Sequence, residues 1–155
     1  MDKDGEYEPS PSQWVRDQVE TYESSGGERG NTLADTGLPV VIVTTRGNRS
    51  GKIRKTPLMR VEHNGEYALI ASKGGAPEHP VWYFNLKADP QEVSIQDGPT
   101  PFGATVREVT DGERETWWER AVAAFPPYAE YQTKTDRVIP VFVASRERSP
   151  VGDAT

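Results

Sequence analysis

Six cations lie close together between residues 44 and 60, a stretch that contains no Asp or Glu. They surround a short polar segment with glycines at 47 and 51, and they are Arg46, Arg49, Lys52, Arg54, Lys55 and Arg60. Backbone N–H groups of a glycine-rich loop can point at an anion, and arginine binds phosphate or carboxylate through two parallel hydrogen bonds. The pattern therefore indicates an anion-binding site. The alternative is a solvated hairpin turn whose charges discourage edge-to-edge aggregation.

A second glycine-rich segment, residues 71–77, follows an apolar stretch and reads Ala-Ser-Lys-Gly-Gly-Ala-Pro. It offers a hydroxyl at Ser72, a cation at Lys73 and two conformationally free glycines. Such a segment lets a planar ligand approach the backbone. The aromatic run 82–84 follows it closely and strengthens that interpretation. An ordinary strand-to-helix connection is the alternative.

Tyr128 and Tyr131 are three residues apart, so that in a helix they would share one face. They can wall a pocket and present hydroxyls to a substrate, or they can simply pack with their hydroxyls at the solvent. His79 adjoins the second glycine-rich segment and can contact a ligand, whereas His63 is expected at the surface beside the Asn64-Gly65 turn. Core contacts are predicted for Trp14, Tyr22, Trp117 and Trp118.

Composition excludes several classes of protein. A chain of 155 residues is the length of one domain, and its net charge of −6 argues against sequence-independent nucleic-acid binding. The absence of cysteine excludes disulfides and thiolate metal sites, and two histidines disfavour a histidine metal site, so no metal is expected. Without an apolar run of membrane-spanning length or a signal peptide, we expect a cytoplasmic protein, with a peripheral position at the inner membrane left open.

Periodicity predicts mainly β structure with a few helices. A first helix is expected over residues 11–24, with Ser10 as its N-cap and Gly26-Gly27 at its end. Further helices are expected over 80–88 and from Thr110 to the Pro126-Pro127 break. Strands are expected over 38–45, 54–62, 67–71, 92–96, 103–109 and 138–144.

Short connections between consecutive strands, including the Asn64-Gly65 turn, favour antiparallel pairing over alternating βαβ units. The pattern predicts a small antiparallel barrel of about six strands with helices packed outside. Residues 10–145 form the single domain in this interpretation. Residues 1–9 and 146–155 are predicted to be tails, the first of them disordered.

Three segments, 38–58, 71–86 and 128–141, together carry a resemblance to a known family. From about Trp14 to Val143 the chain resembles the deazaflavin (F-420)-dependent nitroreductase family of actinobacteria. Within these segments, the resemblance rests on Thr-Thr-Arg-Gly-Asn-Arg-Ser-Gly-Lys (44–52), Ala-Ser-Lys-Gly-Gly-Ala-Pro-Glu-His-Pro-Val-Trp-Tyr (71–83) and Tyr-Ala-Glu-Tyr-Gln (128–132). The resemblance implies a split antiparallel β-barrel that binds coenzyme F-420, an 8-hydroxy-5-deazaflavin with a phosphate and a polyglutamate tail.

The resemblance also implies roles for individual residues. It assigns the phosphate and tail to Arg46, Arg49, Ser50, Gly51, Lys52, Arg54 and Lys55. It assigns the rest of the cofactor contacts to Pro57, Ser72, Lys73, Gly74, Gly75, Pro80, Trp82 and Tyr83. The catalytic assignments are Tyr128, Tyr131 and Ser72.

The implied reaction is hydride transfer from C5 of the reduced deazaflavin to a small organic acceptor: a quinone, an enone or a nitroaromatic. Phe125 stands where a relative used in nitroimidazole activation has a further tyrosine, so the resemblance does not extend to nitro-drug reduction. The residues alone leave other interpretations open. These are an FMN-using reductase on the same barrel, a haem protein with His63 or His79 as axial ligand, a non-catalytic deazaflavin-binding protein, and a nucleic-acid role for the basic segment. The oligomeric state also stays open.

Overall fold

The computed structural model describes residues 6–33 and 36–146, which contain seven strands and four α-helices. The helices are α1 (Gln13–Ser24), α2 (Val81–Ala88), α3 (Asp111–Ala124) and α4 (Pro127–Thr133). The strands are β1 (Val40–Arg46), β2 (Ile53–Met59), β3 (Glu62–His63), β4 (Glu66–Ile70), β5 (Val93–Gln96), β6 (Pro101–Val109) and β7 (Val141–Arg146).

The strands form one antiparallel sheet in the order β2-β1-β5-β6-β7-β4-β3. The sheet curls because the chain changes partner at residues 60–61. Before this point β2 pairs with β1, and the Arg60 N–H still donates to the Pro39 carbonyl at 2.9 Å. After it, the Ala68 N–H donates to the Val61 carbonyl at 2.8 Å and β3 pairs with β4. The expected strand 54–62 is therefore two strands, and the expectation of a split antiparallel β-barrel is confirmed.

Both faces of the central strands are buried, as a continuous apolar run predicts. In β1, Val40 and Ile42 face a core completed by α1, α3 and α4. Val41 and Val43 face a second core that includes Trp82 of α2. The helices therefore cover the sheet on both sides, and β2 is left at its edge.

A polar contact holds the chain where it changes partner. The Asp97 carboxylate, in the turn between β5 and β6, accepts a hydrogen bond from the Tyr67 hydroxyl at 2.6 Å and another from Arg60 Nε at 2.9 Å. Burial and the Asp97 hydrogen bond raise the pKa of Tyr67 to about 12. Asp97 thus ties β4 to the end of β2 and fixes the direction in which β2 runs.

Three local expectations differ from the structure. The first helix begins at Gln13 after Ser12, whose ψ of 121° is extended, so Ser10 does not cap it. The Ser10 hydroxyl instead accepts a hydrogen bond from the Ser12 N–H at 3.1 Å. The short segment after Pro126 is a fourth helix, and the last strand begins at Val141, three residues later than predicted.

Residues 6–9, expected to belong to a disordered tail, lie against the edge of β2. Tyr7 forms a parallel bridge with Ile53, whose N–H donates to the Glu6 carbonyl at 2.7 Å and whose carbonyl accepts from the Glu8 N–H at 2.9 Å. An edge strand presents such unpaired backbone groups, which explains the pairing. We refer to residues 6–9 as the N-terminal strap. The rest of the predicted tails, 1–5 and 147–155, lies outside the described residues.

Across the described ranges, each helix is too short or too polar to cross a lipid bilayer.

Candidate functional site

The largest group of predicted site residues meets in a cavity of about 450 Å³ between β2, the segment 71–80 and α4. We call it the aromatic cavity. Of the residues predicted from the sequence, it is lined by Pro57, Ser72, Lys73, Gly74, Pro80, Trp82, Tyr128 and Tyr131. Trp14, predicted to be a core contact, also lines it and keeps 57% of its surface exposed, so that prediction was wrong.

A second cavity of about 520 Å³ gathers part of the basic segment. We call it the basic cavity. Its lining residues are Glu8, Gly47, Asn48, Arg49, Ser50, Arg54, Val81, Phe84 and Asn85. Two arginines, a hydroxyl and two aliphatic or aromatic side chains from α2 therefore surround it.

The two cavities have no lining residue in common, but both take residues from β2 and from the start of α2. Side chains two apart on a strand point to the same side, so Arg54 in the basic cavity is in line with Thr56 and Leu58 in the aromatic cavity. On the opposite wall, Val81 lines the basic cavity while its neighbours Pro80 and Trp82 line the aromatic one. The two cavities are therefore neighbours along β2 and the first turn of α2, and we refer to them together as the groove.

The turn between β1 and β2 is built by its own backbone. The Gly47 N–H donates to the Lys52 carbonyl at 2.7 Å, and the Gly51 N–H donates to the Gly47 carbonyl at 2.9 Å. Gly51 has a φ of +72°, which favours glycine. The Ser50 hydroxyl accepts from the Lys52 N–H at 3.1 Å, so its oxygen already has one partner.

Asn85 anchors this turn to α2, a role that the sequence analysis missed. Its side-chain oxygen accepts from the Asn48 N–H at 3.0 Å, and its amide nitrogen donates to the Thr45 hydroxyl at 3.3 Å. Asn85 is 2% exposed, so its two hydrogen bonds also satisfy a buried amide. The available signal was an uncharged polar residue flanked by the apolar Phe84 and Leu86 in a helix.

The cations of residues 46–60, the basic segment, do not all lie on one face of the sheet. Lys55 follows Arg54 directly and therefore points the other way, towards α1, where it contacts Glu23 at 2.6 Å. It lines a separate cavity of about 250 Å³ with Thr44 and Ser94. Arg46 donates to the Gly51 carbonyl at 2.9 Å and lies 3.9 Å from Glu92. The structure therefore does not bring Lys55 to the groove, and it uses Arg46 within the turn.

The segment 71–79 is held in place by Arg137. Its guanidinium donates to the carbonyls of Ala71 at 3.1 Å, Ser72 at 2.8 Å and Ala76 at 2.9 Å. Three bonds from one planar group fix the backbone that carries the Ser72 hydroxyl. Burial lowers the pKa of Arg137, but arginine stays protonated at any ordinary pH.

Gly75 completes this attachment by packing against α4. A Cβ at Gly75 would lie 2.7 Å from the Tyr131 carbonyl oxygen and 3.0 Å from Lys134 Cβ. Gly75 also has a φ of +84°. The predicted cofactor residue Gly75 is therefore buried against Tyr131 rather than lining the aromatic cavity, whereas Gly74 lines it.

His79 and Tyr83 lie on the far side of the same segment. Arginine can only donate, so the His79 Nδ1, 3.1 Å from Arg137 Nη1, accepts and the proton is on Nε2. The imidazole stacks on Tyr83 with ring centroids 4.0 Å apart. Burial and the Arg137 charge lower the pKa of His79. Tyr83, predicted to contact the cofactor, is not among the residues that line either part of the groove.

Tyr128 is the most deeply buried hydroxyl in the aromatic cavity, at 5% exposure. Its ring contacts Phe125 and Tyr131, with centroids 5.0 Å and 6.2 Å away. Burial, with a smaller contribution from Tyr131, raises the pKa of Tyr128 far above its usual value. The hydroxyl therefore stays neutral over the whole physiological range and is suited to donate a hydrogen bond rather than to ionise.

The family model for the F420H(2)-dependent quinone reductases matches residues 14–146. The chain belongs to this family. An F420H(2)-dependent quinone reductase of Mycobacterium tuberculosis is 34% identical over 128 residues, which cover 81% of this chain and 85% of the relative. The expectations of a deazaflavin-dependent family, of F-420 as cofactor and of an oxidoreductase are therefore confirmed.

Two solved structures are also similar to this chain. An F420-H2 dependent reductase is 58% identical, with a TM-score of 0.66 over 74% of this chain and 97% of that one. A domain-swapped dimer is 55% identical, with a TM-score of 0.68 over 88% of this chain and all of that one.

Substitution of Gly75 by Ala should detach the segment 71–79 from α4. The Cβ would overlap backbone at a positive φ, so we expect a loss of about 2 kcal/mol or more in the free energy of unfolding, measured in urea. Gly74→Ala is the matched control: it also has a positive φ, but nothing lies within 4 Å of its Cβ position. It should cost only about 1 kcal/mol. Equal losses in the two variants would show that the contact with Tyr131 is unimportant.

The stability of the protein should depend on the protonation of His79. Its folded-state pKa lies below its ordinary value of 6.5, so below about that pH the unfolded chain binds a proton that the folded chain excludes. This contribution is present above pH 6.5 and is lost as the pH falls towards the folded-state pKa. His79→Asn keeps an oxygen acceptor for Arg137 and cannot titrate, so the variant should lose less stability than the wild type on acidification. Urea titrations on both sides of pH 6.5 measure this difference, and parallel curves would contradict it.

Proposed function

We propose that the groove is the F-420 site, that the deazaflavin ring lies in the aromatic cavity with the anionic tail in the basic cavity, and that the acceptor is a quinone. One observation carries this proposal. Two cavities of opposite chemistry, one basic and one aromatic, lie next to each other along β2, where Arg54 lines the first and Thr56 the second, and at residues 80–82. A cofactor with a planar ring at one end and acidic groups at the other fits that arrangement.

The basic cavity suits the phosphate and the glutamates of the tail. Arg49 is exposed at the tip of the turn and Arg54 is half-buried in its wall, so both can reach an anion. The guanidinium groups can each form a bidentate pair with a phosphate or carboxylate. We assign the tail to Arg49, Arg54 and Ser50, and we do not assign it to Lys55, which lies on the opposite face.

The aromatic cavity suits a planar ring. Pro57 and Trp82 supply flat apolar walls, and Gly74 has open space where a side chain would be. A ring can therefore approach the backbone of the segment that Arg137 holds rigid. The Ser72 hydroxyl, on a residue that is 8% exposed, also faces this cavity.

Reduced F-420 supplies a hydride, and the protein supplies position, electrostatics and exclusion of water. Tyr128, Tyr131 and Trp14 also line the aromatic cavity. We assign Tyr128 to donate a hydrogen bond to the acceptor oxygen that gains negative charge as the hydride arrives. Because burial strongly raises its pKa, Tyr128 keeps its proton and remains a hydrogen-bond donor.

A quinone is favoured over a nitro compound for two reasons. The chain belongs to the family of F420H(2)-dependent quinone reductases. Phe125 is buried beside Tyr128, at 7% exposure, and its ring carries no hydroxyl. The resemblance places a tyrosine at this position in a relative used in nitroimidazole activation.

The test of the cofactor site is a fluorescence titration with F-420 beside FMN at low and moderate salt. We expect F-420 to bind more tightly, and its affinity to fall with salt because the tail is held by charge. Arg54→Gln should weaken F-420 binding roughly tenfold and flatten its salt dependence. Lys55→Gln removes the same charge from the next residue, on the other face, and should have little effect. Equal losses in both variants would disprove the assignment of the tail to the groove.

The test of the reaction is turnover of reduced F-420 with a soluble naphthoquinone. Tyr128→Phe removes one hydrogen bond to the acceptor, so kcat should fall roughly ten- to a hundredfold while F-420 affinity stays nearly unchanged. Tyr83→Phe removes a hydroxyl outside the groove and serves as the control, with turnover expected near wild type. Unchanged turnover in Tyr128→Phe with several quinones would remove Tyr128 from the mechanism.

A further inference from the structure

The N-terminal strap, residues 6–9, extends the sheet beside the groove. Its parallel bridge to Ile53 consists of two backbone hydrogen bonds, from the Ile53 N–H to the Glu6 carbonyl and from the Glu8 N–H to the Ile53 carbonyl. The strap therefore adopts the period of a strand, and its side chains alternate between the two faces of the sheet.

This alternation places two acids beside two cations of the basic segment. Lys52 lies 3.7 Å from both Glu6 and Glu8, and Arg54 forms a hydrogen-bonded ion pair with Glu8. Tyr7 points to the opposite face, where the Lys55 ammonium lies 4.9 Å from its ring centroid. The spacing Glu-x-Glu in the strap thus matches the spacing Lys-x-Arg at residues 52–54, where β2 begins.

Glu8 is not merely near the groove, because it lines the basic cavity together with Arg49 and Arg54. Its carboxylate holds the guanidinium that the proposed function assigns to the acidic tail. The Glu8 carboxylate accepts a hydrogen bond from Arg54 Nη1, so a tail carboxylate or phosphate that pairs with this nitrogen has to compete with Glu8.

We propose that the N-terminal strap is an intramolecular competitor for the cofactor tail, and that Glu8 must leave Arg54 before the tail binds. This inference rests on the proposed function, since it assumes that the tail occupies the basic cavity. The strap is held by one bridge and by ion pairs that are partly exposed, and such contacts are individually weak. The strap can therefore pair with Lys52 and Arg54 and still be displaced by a ligand with several negative charges.

The competition should affect only ligands that carry the tail. A deazaflavin riboside that lacks the phosphate and the glutamates would occupy the aromatic cavity without reaching Arg54. The strap should therefore lower the affinity for F-420 and leave the affinity for the tail-less form unchanged.

The first experiment measures the affinities of F-420 and of the tail-less deazaflavin riboside for three proteins: the wild type, Glu8→Gln and Glu20→Gln. Glu20 is an exposed acid on α1 that forms no ion pair within the described residues, so it serves as the control. Glu20→Gln and Glu8→Gln have the same net charge. We expect Glu8→Gln to bind F-420 roughly three- to tenfold more tightly and to bind the riboside as the wild type does. Glu20→Gln should match the wild type with both ligands.

Two outcomes would overturn the competition while leaving the F-420 site intact. One is tight F-420 binding that Glu8→Gln does not improve, and the other is an equal gain for Glu20→Gln, which would reflect net charge alone. If F-420 binds no protein more tightly than the riboside does, the assignment of the tail to the basic cavity fails, and the competition fails with it.

Hydrogen exchange supplies a second measurement that does not depend on activity. The N–H groups of Ile53 and Glu8 donate across the bridge, so both should exchange faster when F-420 is added at saturation. The N–H of Thr56, within the β1–β2 pair, should keep its protection. Slower exchange at Ile53 and Glu8 would show that the strap closes over the tail instead of leaving, and would overturn the proposal.

Discussion

The groove depends on the fact that β2 is hydrogen-bonded to a neighbouring strand along one edge only. Its partner on one side is β1, and its other edge is free for the strap at Ile53. Because side chains alternate along a strand, those of β2 reach two different environments. Arg54 and Thr56 face the groove beside α2, and Lys55 faces α1. The bend at residues 60–61, held by Asp97, then returns the chain to the sheet and closes the barrel beyond the aromatic cavity.

The wall of the groove opposite β2 includes the segment 71–79, which is held by residues far away in the sequence. The segment 71–79 contains two glycines with positive φ and a short 3-10 turn, in which the Gly75 N–H donates to the Ser72 carbonyl at 2.9 Å. Arg137, which lies 66 residues after Ala71, adds hydrogen bonds from a distant part of the chain, and Gly75 lets α4 approach. The residues that carry Ser72 and Tyr128 are thereby fixed relative to each other. A site that must exclude water around a planar ring needs such rigidity more than it needs further polar groups.

The sequence predicted the parts of this site that local patterns determine. Apolar β-branched runs located β1 and β4, the Asn64-Gly65 turn located the hairpin between β3 and β4, and charge clustering located the basic segment. Contacts between distant parts of the chain left no local pattern, so Arg137 and the exposed Trp14 were missed. The separation of Lys55 from Arg54 was available from strand alternation alone, but the family resemblance grouped the two residues. Asn85 likewise stood out only as an uncharged polar residue with apolar neighbours in a helix.

An acidic protein that binds an acidic cofactor has to keep a local positive charge without destabilising itself. Cations crowded on one short strand and its turn repel one another and are costly to desolvate, so in the empty protein they need counter-charges. Glu6 and Glu8 supply these to Lys52 and Arg54 from a segment held at one bridge, and Glu23 supplies one to Lys55 from a helix. The difference lies in how each acid is anchored. An acid on a packed helix is a permanent partner, whereas an acid on a strap can be exchanged for a ligand, so the anchoring of the counter-charge determines which cations remain available for binding.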